Sequence, residues 1–292
     1  MNICLLVINY NGMKFLPLYL SSLQEQCIQN DIDLLVTDDL STDGSADFLL
    51  LGSYGYTINQ TTRHGFAANT NNGIRYAMMQ KKFDYLIIAN NDIVIQNGLF
   101  EALKKALYFL TKSDNYFGLL GVSEIFSDNK QQAETFNYLQ YDVASIKQVN
   151  YIPGFFFVIK AALIDQVGYM DESYFMYGED NDYFTRTQKG GYTIYNSGLP
   201  VIHFSEGSSA DSKQTSWYVY RNAFLYAQKN LGFTGVVKMF FSFMNQIYNP
   251  FYKPQNPGND RVRRNGFIYN NYLLARSILW NFKYYLTPDD RK

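Results

Sequence analysis

The sequence predicts an α/β fold in which helices flank a mostly parallel central sheet, followed by a helical, aromatic-rich C-terminal extension. Along the first two-thirds of the chain, short apolar runs alternate with segments whose apolar residues recur every three or four positions. A run that is apolar throughout is typical of a strand buried on both faces, and strands that alternate with helices form parallel sheets. With 292 residues, the chain can bury a large core as one domain, or as one domain with an appendage.

The first βαβ unit is predicted near the N-terminus. Ile3–Ile8 is an unbroken apolar run and gives the first strand. Apolar residues spaced by three and four between Leu16 and Cys27 mark one face of a helix. A second strand is predicted at residues 33–37, and the polar stretch Ser41–Ser45 behind it offers oxygen atoms that can cap a further helix.

The most informative apolar run is Tyr85–Ala89, which stops at Asn90, Asn91 and Asp92. These three residues would lie at the carboxyl end of a central strand, the edge at which open α/β sheets bind their ligands. Asp92 is a hard oxygen ligand of the kind that Mg²⁺ and Mn²⁺ use when they also bind substrate phosphates. Asn and Asp also favour turns for local reasons, so the stretch alone fits a strand that simply ends in a turn. Its surroundings favour a site.

The remaining elements follow the same two patterns. A weak strand is predicted at residues 56–59, and a helix at 65–79 opens with small residues and amides that would let its backbone approach a ligand closely. Ordinary capping and packing explain that opening equally well. Residues 123–148 are polar and mixed, and we expect an inserted hairpin or a loop over the site. Strands are also predicted at 116–122, 153–159, 191–195 and 201–204, and a helix at 99–110.

Three acidic residues follow Gly178, where the pattern predicts the start of a helix. Glu179, Asp180 and Asp182 would lie in its first turn, where the helix dipole favours negative charge for purely structural reasons. Three acids in four positions beside Phe and Tyr exceed what capping needs. A carboxylate held among aromatic side chains tends to have a raised pKa, which suits a general base. We therefore favour a catalytic role for this segment.

The chain contains two histidines, His64 and His203. A single histidine is more often a satisfied core or surface residue than a metal ligand. On the residues alone, we do not favour metal binding by His203.

Composition and the two cysteines restrict the class of protein. The chain is 47% hydrophobic and 17% aromatic, which indicates a globular protein. Cys4 and Cys27 give neither a disulfide framework nor zinc-site spacing, which suits a reducing cytoplasm. The N-terminus lacks the cationic region and cleavage site of a signal peptide, and no apolar run approaches the roughly 18–20 residues of a membrane span. We expect a cytoplasmic location.

Charge divides the chain into two parts. Residues 1–210 hold 13 Lys or Arg against 22 Asp or Glu, a net charge of −9, whereas residues 211–292 hold 12 against 4, a net charge of +8. This asymmetry predicts an acidic body at 1–210 and a basic extension at 211–292. Apolar residues in the extension follow helical spacing, and Arg261, Arg263 and Arg264 form a cluster before its last helical segment, residues 267–286.

Two interpretations of the basic extension stay open. Broad apolar helix faces with positive charge describe helices that lie in an anionic membrane interface. The same faces would equally pack on the acidic body or on a second copy of the chain. Nucleic-acid binding is not expected, because the body is acidic and the aromatic residues follow helical spacing.

Six motifs, taken together and in order, resemble those of the family-2 glycosyltransferases of the GT-A fold. The resemblance covers about residues 3–204, and the part from Asn90 to His203 is most similar to the bacterial rhamnosyltransferase-type branch. The motifs are the opening Val7–Gly12, the nucleotide segment Thr37–Ser45, the helix opening Gly65–Ile74, Asn90-Asn91-Asp92 at the Asp-x-Asp metal position, Gly178-Glu179-Asp180 at the base position, and His203 at a late metal-ligand position.

The sequence departs from the family pattern at two positions. Asn90 stands where the family usually has the first Asp, so the metal site loses one charge and strict metal dependence is not implied. Gly65 stands where some relatives carry a cation facing the diphosphate, and Arg63 or His64 are candidates to replace it.

The resemblance implies an inverting transferase with one general base. It moves a sugar from a nucleoside-diphosphate donor, a UDP- or dTDP-sugar, to a hydroxyl of a glycan or polyprenyl-linked acceptor in bacterial surface polysaccharide synthesis. It also implies Mg²⁺ or Mn²⁺ as cofactor and leaves open attachment to the cytoplasmic face of the inner membrane and homo-oligomerisation. The implied residues are Asp180 and Glu179 for catalysis, Asn9, Tyr10, Asp39, Asn71, Asn91 and Asp92 for the nucleotide sugar, Gly154 and Asp182 on the acceptor side, and Asp92 and His203 for the metal.

Other classes were weighed against this one. The turn Asn9–Gly12 is not the Gly-x-Gly-x-x-Gly of a nicotinamide-dependent enzyme, and no Gly-rich loop with Arg and Lys indicates a sugar nucleotidyltransferase. The serious alternative is a non-catalytic sugar-nucleotide-binding module in which Asn90 marks a decayed site. The retention of Asp92, Asp180 and His203 together argues against decay.

Overall fold

The computed structural model describes residues 1–52, 56–58, 62–126, 129–204, 212–249, 252 and 265–286. Contacts divide the chain into two compact units, which are treated separately below. The first comprises residues 1–170 and 183–208, and the second comprises residues 171–182 and 209–292. The domain boundary expected after residue 210 stays a prediction; the contacts group residues 171–182 with the C-terminal segment.

The first unit contains a nine-stranded sheet among the described residues. Its strands are β1 Ile3–Asn9, β2 Ile32–Asp38, β3 Tyr56–Ile58, β4 Tyr85–Asn90, β5 Ile93–Val94, β6 Phe117–Phe126, β7 Lys147–Gln148, β8 Phe156–Lys160 and β9 Thr193–His203. Their order across the sheet is β3-β2-β1-β4-β8-β6-β9-β5, and β7 pairs with β9.

The sheet combines parallel and antiparallel pairing. β3, β2, β1 and β4 are parallel neighbours, as are β6 and β9. β8 lies between β4 and β6 and is antiparallel to both, and the short strands β5 and β7 run antiparallel to β9. Helices flank this central sheet, so the predicted α/β class is confirmed.

Alternate residues of β1 enter two different cores. Ile3, Leu5 and Val7 pack in one apolar cluster, together with residues of α1 (Leu16–Gln29) and α4 (Leu99–Ser113). Cys4, Leu6 and Ile8 pack in the other, with residues of α3 (Gly65–Gln80). Because side chains alternate across a strand, this pattern is what an unbroken apolar run produces when both faces of a sheet are covered. The other helices that begin before residue 190 are α2 Ser45–Leu51, α5 Gln131–Glu134, α6 Ala162–Val167 and α7 Glu179–Lys189.

Two local expectations differ from the structure. The strands predicted at 191–195 and 201–204 are one strand, β9, because Gly198 and its neighbours are taken up in an irregular stretch of the pairing with β6. Gly198 and Pro200 are residue types that commonly interrupt a strand, whereas a bulge keeps the ladder continuous. Residues 123–148 are also not a hairpin: β6 continues to Phe126, and α5, two 3₁₀ turns and the edge strand β7 follow among the described residues.

In the part of the second unit that the structure describes, there are three long helices. They are α8 Ser212–Tyr226, which continues through a π-helical turn at Ala227–Leu231, then α9 Gly232–Tyr248 and α10 Phe267–Leu286. Their core includes Tyr220, Phe224, Phe243, Leu273 and Leu274. The predicted helical extension is therefore confirmed, while the cluster Arg261, Arg263 and Arg264 lies outside the described residues. Within the described chain, none of the helices is both long and apolar enough to span a membrane.

Candidate active site

Strand register brings the predicted polar residues to one edge of the sheet. Ile8 is the register partner of both Thr37 on β2 and Asn90 on β4, and Asn9 is the partner of Asp38. The carboxyl ends of β1, β2 and β4 therefore lie side by side, as the sequence pattern predicts for parallel strands. In an α/β sheet, this is the edge at which a ligand is expected.

Asn9 connects the three strand ends through its side-chain amide. Its Nδ2 donates to Asp38 Oδ1 at 2.6 Å and to Ser45 Oγ at 3.1 Å, and its Oδ1 accepts from Asn91 Nδ2 at 2.7 Å. The side chain of Asn9 is completely buried. Its polar atoms therefore hold neighbouring loops in place, and the contact between Asn9 and the nucleotide sugar stays a prediction.

Gly12 lies against this hydrogen-bond network. A Cβ atom at this position would approach Asn9 Oδ1 to 2.1 Å and Asn91 Nδ2 to 2.4 Å. Neither distance is compatible with a side chain, so the turn after β1 requires glycine. The motif residue Gly12 is thus explained by close packing.

Asp39 holds the start of α3. Its two carboxylate oxygens accept from the backbone N–H groups of His64 and Gly65, each at 2.8 Å. Arg63 Nε lies 3.6 Å from Asp39 Oδ2, and the Arg63 guanidinium lies 3.4 Å from the centroid of the Tyr10 ring. Arg63, which was a candidate to replace the missing cation, is therefore placed beside two predicted nucleotide-sugar residues.

Asn71 pairs with the backbone of Met170. Its Nδ2 donates to the Met170 carbonyl at 2.8 Å, and its Oδ1 accepts from the Met170 N–H at 3.0 Å. The side chain is completely buried. These bonds attach α3 to the segment that follows α6, and the predicted ligand contact of Asn71 stays a prediction.

Asp92 and His203 are brought together by strand pairing. Ile93 on β5 is the register partner of His203 on β9, and the Phe204 N–H donates to the Asp92 carbonyl at 2.9 Å. As a result, His203 Nε2 lies 3.2 Å from Asp92 Oδ1. The predicted metal pair is therefore assembled in space.

The second ring nitrogen of His203 and one face of its imidazole ring also have contacts. Nδ1 lies 2.6 Å from Glu124 Oε1, and the imidazole stacks on Phe155. Burial lowers the pKa of His203, but hydrogen bonds to Asp92 and Glu124 and the charges of these two carboxylates outweigh it and raise the pKa to about 9. The three side chains thus form an ion-pair triad in which Asp92 is buried and His203 and Glu124 are partly buried.

The side chains of Asp92 and His203 are of the types that bind a divalent cation which also contacts substrate phosphates. Among the described residues, no group of three or more His, Cys, Asp or Glu side chains is arranged to hold a metal ion. Asp92 and His203 nevertheless supply one carboxylate and one imidazole, which are Mn²⁺ ligands, and a cation of this kind takes further ligands from phosphates and water. Glu124 would be the outer carboxylate that fixes the imidazole orientation.

The paired acids Glu179 and Asp180 belong to the second unit and open α7. Asp180 Oδ1 accepts from the Asn181 N–H at 2.7 Å. Burial raises the pKa of both carboxyl groups; the charge of Asp180 raises that of Glu179 further, and Arg221 lowers it. Glu179 Oε2 is buried and has no hydrogen-bond partner among the described residues. A desolvated carboxylate pair of this kind is suited to accept a proton.

The two predicted acceptor-side residues have different surroundings. Asp182 is buried, and its Oδ1 accepts from Asn230 Nδ2 at 2.8 Å and from the Tyr174 hydroxyl at 3.4 Å. These bonds give Asp182 a structural role in the second unit, and its contact with the acceptor stays a prediction. Gly154 lies in the turn before β8, next to Phe155, whose carbonyl accepts from the Asn90 N–H at 2.8 Å.

Sequence reasoning missed Glu124 and Phe155. Glu124 lies in a stretch that showed no clear pattern, and Phe155 lies in a run of three phenylalanines interpreted only as a strand. Neither residue carries a local signal for its contact with His203, because both contacts depend on the pairing of distant strands.

Solved structures of other proteins share this fold. The mannosyltransferase PcManGT from Pyrobaculum calidifontis, in complex with GDP-Man and Mn²⁺, matches with a TM-score of 0.54 at 15% identity over 98% of this chain and 75% of that chain. S. aureus TarS 1–349, in complex with UDP-GlcNAc, matches with a TM-score of 0.56 at 14% identity over 95% of this chain and 89% of that chain. At such identities the likeness shows the fold alone, which is the GT-A fold.

The sequence itself matches a family model. The model described as glycosyl transferase family 2 matches residues 4–167, more than half of the chain. This protein therefore belongs to glycosyl transferase family 2. The low-salt glycan biosynthesis hexosyltransferase Agl10 of Haloferax volcanii is 23% identical over 183 residues, which cover 58% of this chain and 58% of that protein. The match thus spans less than two-thirds of that relative.

Proposed function

We propose that this protein is an inverting glycosyltransferase that moves a sugar from a nucleoside-diphosphate donor to a hydroxyl of a glycan or polyprenyl-linked acceptor. The observation that carries the proposal is the carboxylate pair at the start of α7, buried at Glu179 and half-buried at Asp180, in a chain of this family. More specifically, we propose a hexosyl- or rhamnosyltransferase that acts in bacterial surface polysaccharide synthesis.

The donor is proposed to bind at the edge formed by β1, β2 and β4. Tyr10 and Asp39 would contact the nucleotide, and Arg63, which lies beside both, supplies a cation for its phosphates. The complexes of PcManGT with GDP-Man and of TarS with UDP-GlcNAc support a nucleotide sugar as donor class. Within that class we propose a UDP- or dTDP-sugar.

Asp180 is proposed as the general base. It takes the proton of the acceptor hydroxyl while that oxygen forms a bond to C1 of the donor sugar. The bond from C1 to the diphosphate breaks at the same time, and the diphosphate leaves from the opposite face, which inverts the anomeric centre. The raised pKa of Asp180 supports this role, because a base whose pKa lies closer to the working pH transfers protons more effectively.

Asp92 and His203 are the residues that would hold Mg²⁺ or Mn²⁺. The cation, when bound, neutralises charge on the diphosphate. Glu124 would keep the imidazole of His203 oriented, and Phe155 would restrict rotation of its ring.

The C-terminal helices are proposed to meet an anionic membrane surface, on which a polyprenyl-linked acceptor would be presented. In α10, Asn270, Ser277 and Asn281 are buried, whereas Ile268 and Leu279 are 85% and 69% exposed. Leu273 and Leu274 of α10 are also buried, so the helix packs apolar residues inward and still exposes others; such an exposed apolar face favours an apolar medium or partner. The described residues from 212 to 286 hold six Lys or Arg and no Asp or Glu, which favours anionic lipid as that medium.

The substitution Asp180→Asn tests the proposal. Transfer should fall by about two to four orders of magnitude, the usual contribution of a positioned base. Donor binding, followed as thermal stabilisation by UDP- and dTDP-sugars with and without Mn²⁺, should persist. The matched control is Asn181→Ala, which changes the neighbouring residue of α7 and leaves both carboxylates in place.

The outcome distinguishes the enzyme from a non-catalytic binding module. Near-normal transfer by Asp180→Asn would refute the assigned base. Donor binding by the unaltered protein with neither transfer nor donor hydrolysis would instead favour a module whose site has decayed at Asn90.

A further inference from the structure

The segment that leads into the proposed base has a constrained backbone. Phe175 and Tyr177 have φ angles of +60° and +67°, and Gly178 has a φ angle of +95°. Positive φ is uncommon for residues other than glycine, and two such residues persist only where the surroundings determine the conformation. Something in the second unit must therefore hold residues 175–178, the segment that places Glu179 and Asp180.

Asn222 on α8 holds this loop through hydrogen bonds. Its Nδ2 donates to the carbonyl oxygens of Tyr174, Met176 and Tyr177, at 2.9, 2.8 and 2.6 Å. Two N–H groups thus serve three carbonyls of one loop. The side chain is 2% exposed, so water does not compete for these bonds.

Arg221, the neighbouring residue on α8, extends the same contact. One guanidinium nitrogen donates to the carbonyls of Ser173 and Tyr174, at 2.9 and 2.6 Å. The guanidinium also lies 4.5 Å from the Trp280 ring centroid, and its charge faces Glu179. Arg221 therefore connects the loop, the buried carboxyl and α10.

α8, the helix that carries Asn222 and Arg221, is itself bound to α10 and makes a further contact with the loop. Asn281 Nδ2 on α10 donates to the Arg221 carbonyl at 2.9 Å. The ring of Tyr218 stacks on Phe175 with centroids 4.9 Å apart. α8 is thereby held from α10 and in turn holds the loop.

We propose that Asn222 and Arg221 are positioning residues that fix the Phe175–Gly178 loop and so aim the Asp180 carboxylate at the acceptor hydroxyl. The inference rests on the proposed role of Asp180 and extends it: the C-terminal extension is a part of the catalytic machinery, in addition to any role as a docking surface. Neither residue touches the reacting atoms, so the effect reaches the reaction only through the loop.

The test is the substitution Asn222→Ala, with Tyr220→Phe as matched control. Misplacement of a base by about 1 Å costs on the order of 100-fold, so kcat should fall about 10- to 100-fold while the donor KM stays unchanged. The acid limb of the pH dependence of kcat/KM should move to lower pH, because a looser loop admits water to Asp180. Tyr220→Phe removes a buried hydrogen bond from the same helix to Asn270 without touching the loop, and should keep both kcat and the pH profile.

A second variant acts on the loop without changing α8. Gly178→Ala places a Cβ at a φ angle of +95°, 3.4 Å from Tyr174 Cδ1, and should lower kcat with the donor KM unchanged. If Asn222→Ala does not fold, this variant decides the question. Folded variants that keep kcat within about twofold of the unaltered protein would overturn the inference.

The two proposals fail in different ways. An inactive Asp180→Asn with an active, folded Asn222→Ala would overturn only the positioning role. An active Asp180→Asn would overturn the assigned base, and with it the reason for a positioned loop.

Discussion

The ring of Phe155 lies flat against the imidazole of His203, with centroids 4.6 Å apart and ring planes inclined by 8°. Phe155 precedes β8, and His203 ends β9. With Glu124 at Nδ1 and Asp92 at Nε2, the imidazole is held on both ring nitrogens and on one face. An imidazole fixed in this way has little rotational freedom left to lose when it binds a ligand, and this supports its assignment to the metal pair.

Glu124→Gln tests the orientation of His203. The amide cannot accept as strongly from Nδ1–H, so metal affinity should fall by about 10- to 100-fold, the usual effect of losing an outer carboxylate. The measurement is a Mn²⁺ titration of transfer activity, together with Mn²⁺-dependent thermal stabilisation. Glu134→Gln, an exposed carboxyl on α5 that pairs with Lys130, is the control and should leave the titration unchanged. An unaltered Mn²⁺ midpoint in Glu124→Gln would remove Glu124 from this role.

Glu179 should make the protein less stable as pH rises. Burial and the charge of Asp180 raise the pKa of Glu179 to about 8, so the folded protein holds a proton that the unfolded chain releases near pH 4.5. The contribution of the Glu179 carboxyl group to the free energy of unfolding is complete below pH 4.5 and declines as pH rises toward 8. Glu179→Gln should therefore unfold at a higher temperature than the unaltered protein at pH 8, and the difference should shrink toward pH 5.

The matched control for that experiment is Glu172→Gln, an exposed carboxyl of the same unit. It should follow the unaltered protein at every pH. Parallel curves of unfolding temperature against pH for Glu179→Gln and the unaltered protein would show that Glu179 is charged in the folded state.

Gly12→Ala should destabilise the first unit. The added Cβ would lie within 2.4 Å of both Asn9 Oδ1 and Asn91 Nδ2, so the network across the strand ends must shift. We expect the free energy of unfolding to fall by about 1–3 kcal/mol, as for other overpacked sites, and donor binding to weaken with it. Chemical denaturation measures the first effect. Gly52→Ala, at an exposed helix end with a φ angle of −78°, should leave both unchanged.

The outer face of α10 should bind anionic vesicles. Leu279→Gln and Phe282→Gln each remove an exposed apolar side chain, which is worth about 1.5–3 kcal/mol when fully buried, so partitioning should fall at least several-fold. Co-sedimentation with vesicles of anionic lipid measures the effect, and high salt should release the protein. Leu139→Gln, exposed on the first unit, is the control. Equal binding to neutral and anionic vesicles would contradict the role of lipid charge, and self-association that Leu279→Gln abolishes would favour a second copy of the chain instead.

The sequence predicted the parts of the fold that local patterns determine. The unbroken apolar runs of β1 and β4 end in polar residues, and the register places those ends together. The antiparallel direction of β8 could not be predicted in this way, since an apolar run does not indicate the direction of the neighbouring strand. β9 was predicted as two strands because a bulge and a break begin with the same glycine-rich pattern.

The candidate site was predictable as a set of residue types and not as a set of roles. Asn9 and Asn71 were expected to contact a ligand, but both amides are completely buried and used within the protein. A polar residue at a strand end looks the same in the sequence whether it faces a ligand or fixes a neighbouring loop. The roles of Glu124 and Asn222 carry no local signal, because His203 lies 79 residues from Glu124 and the loop carbonyls that Asn222 binds lie at least 45 residues from it.

The position of β8 between β4 and β6 has a consequence for synthesis on the ribosome. β4 leaves the ribosome long before β8, and until then one edge of this apolar strand has no partner. Such an edge is a template for pairing with other chains, so the nascent protein carries an aggregation hazard through most of its translation. The first unit can complete its sheet only after β8 and β9 have emerged, so this topology places the closing of the sheet late in synthesis.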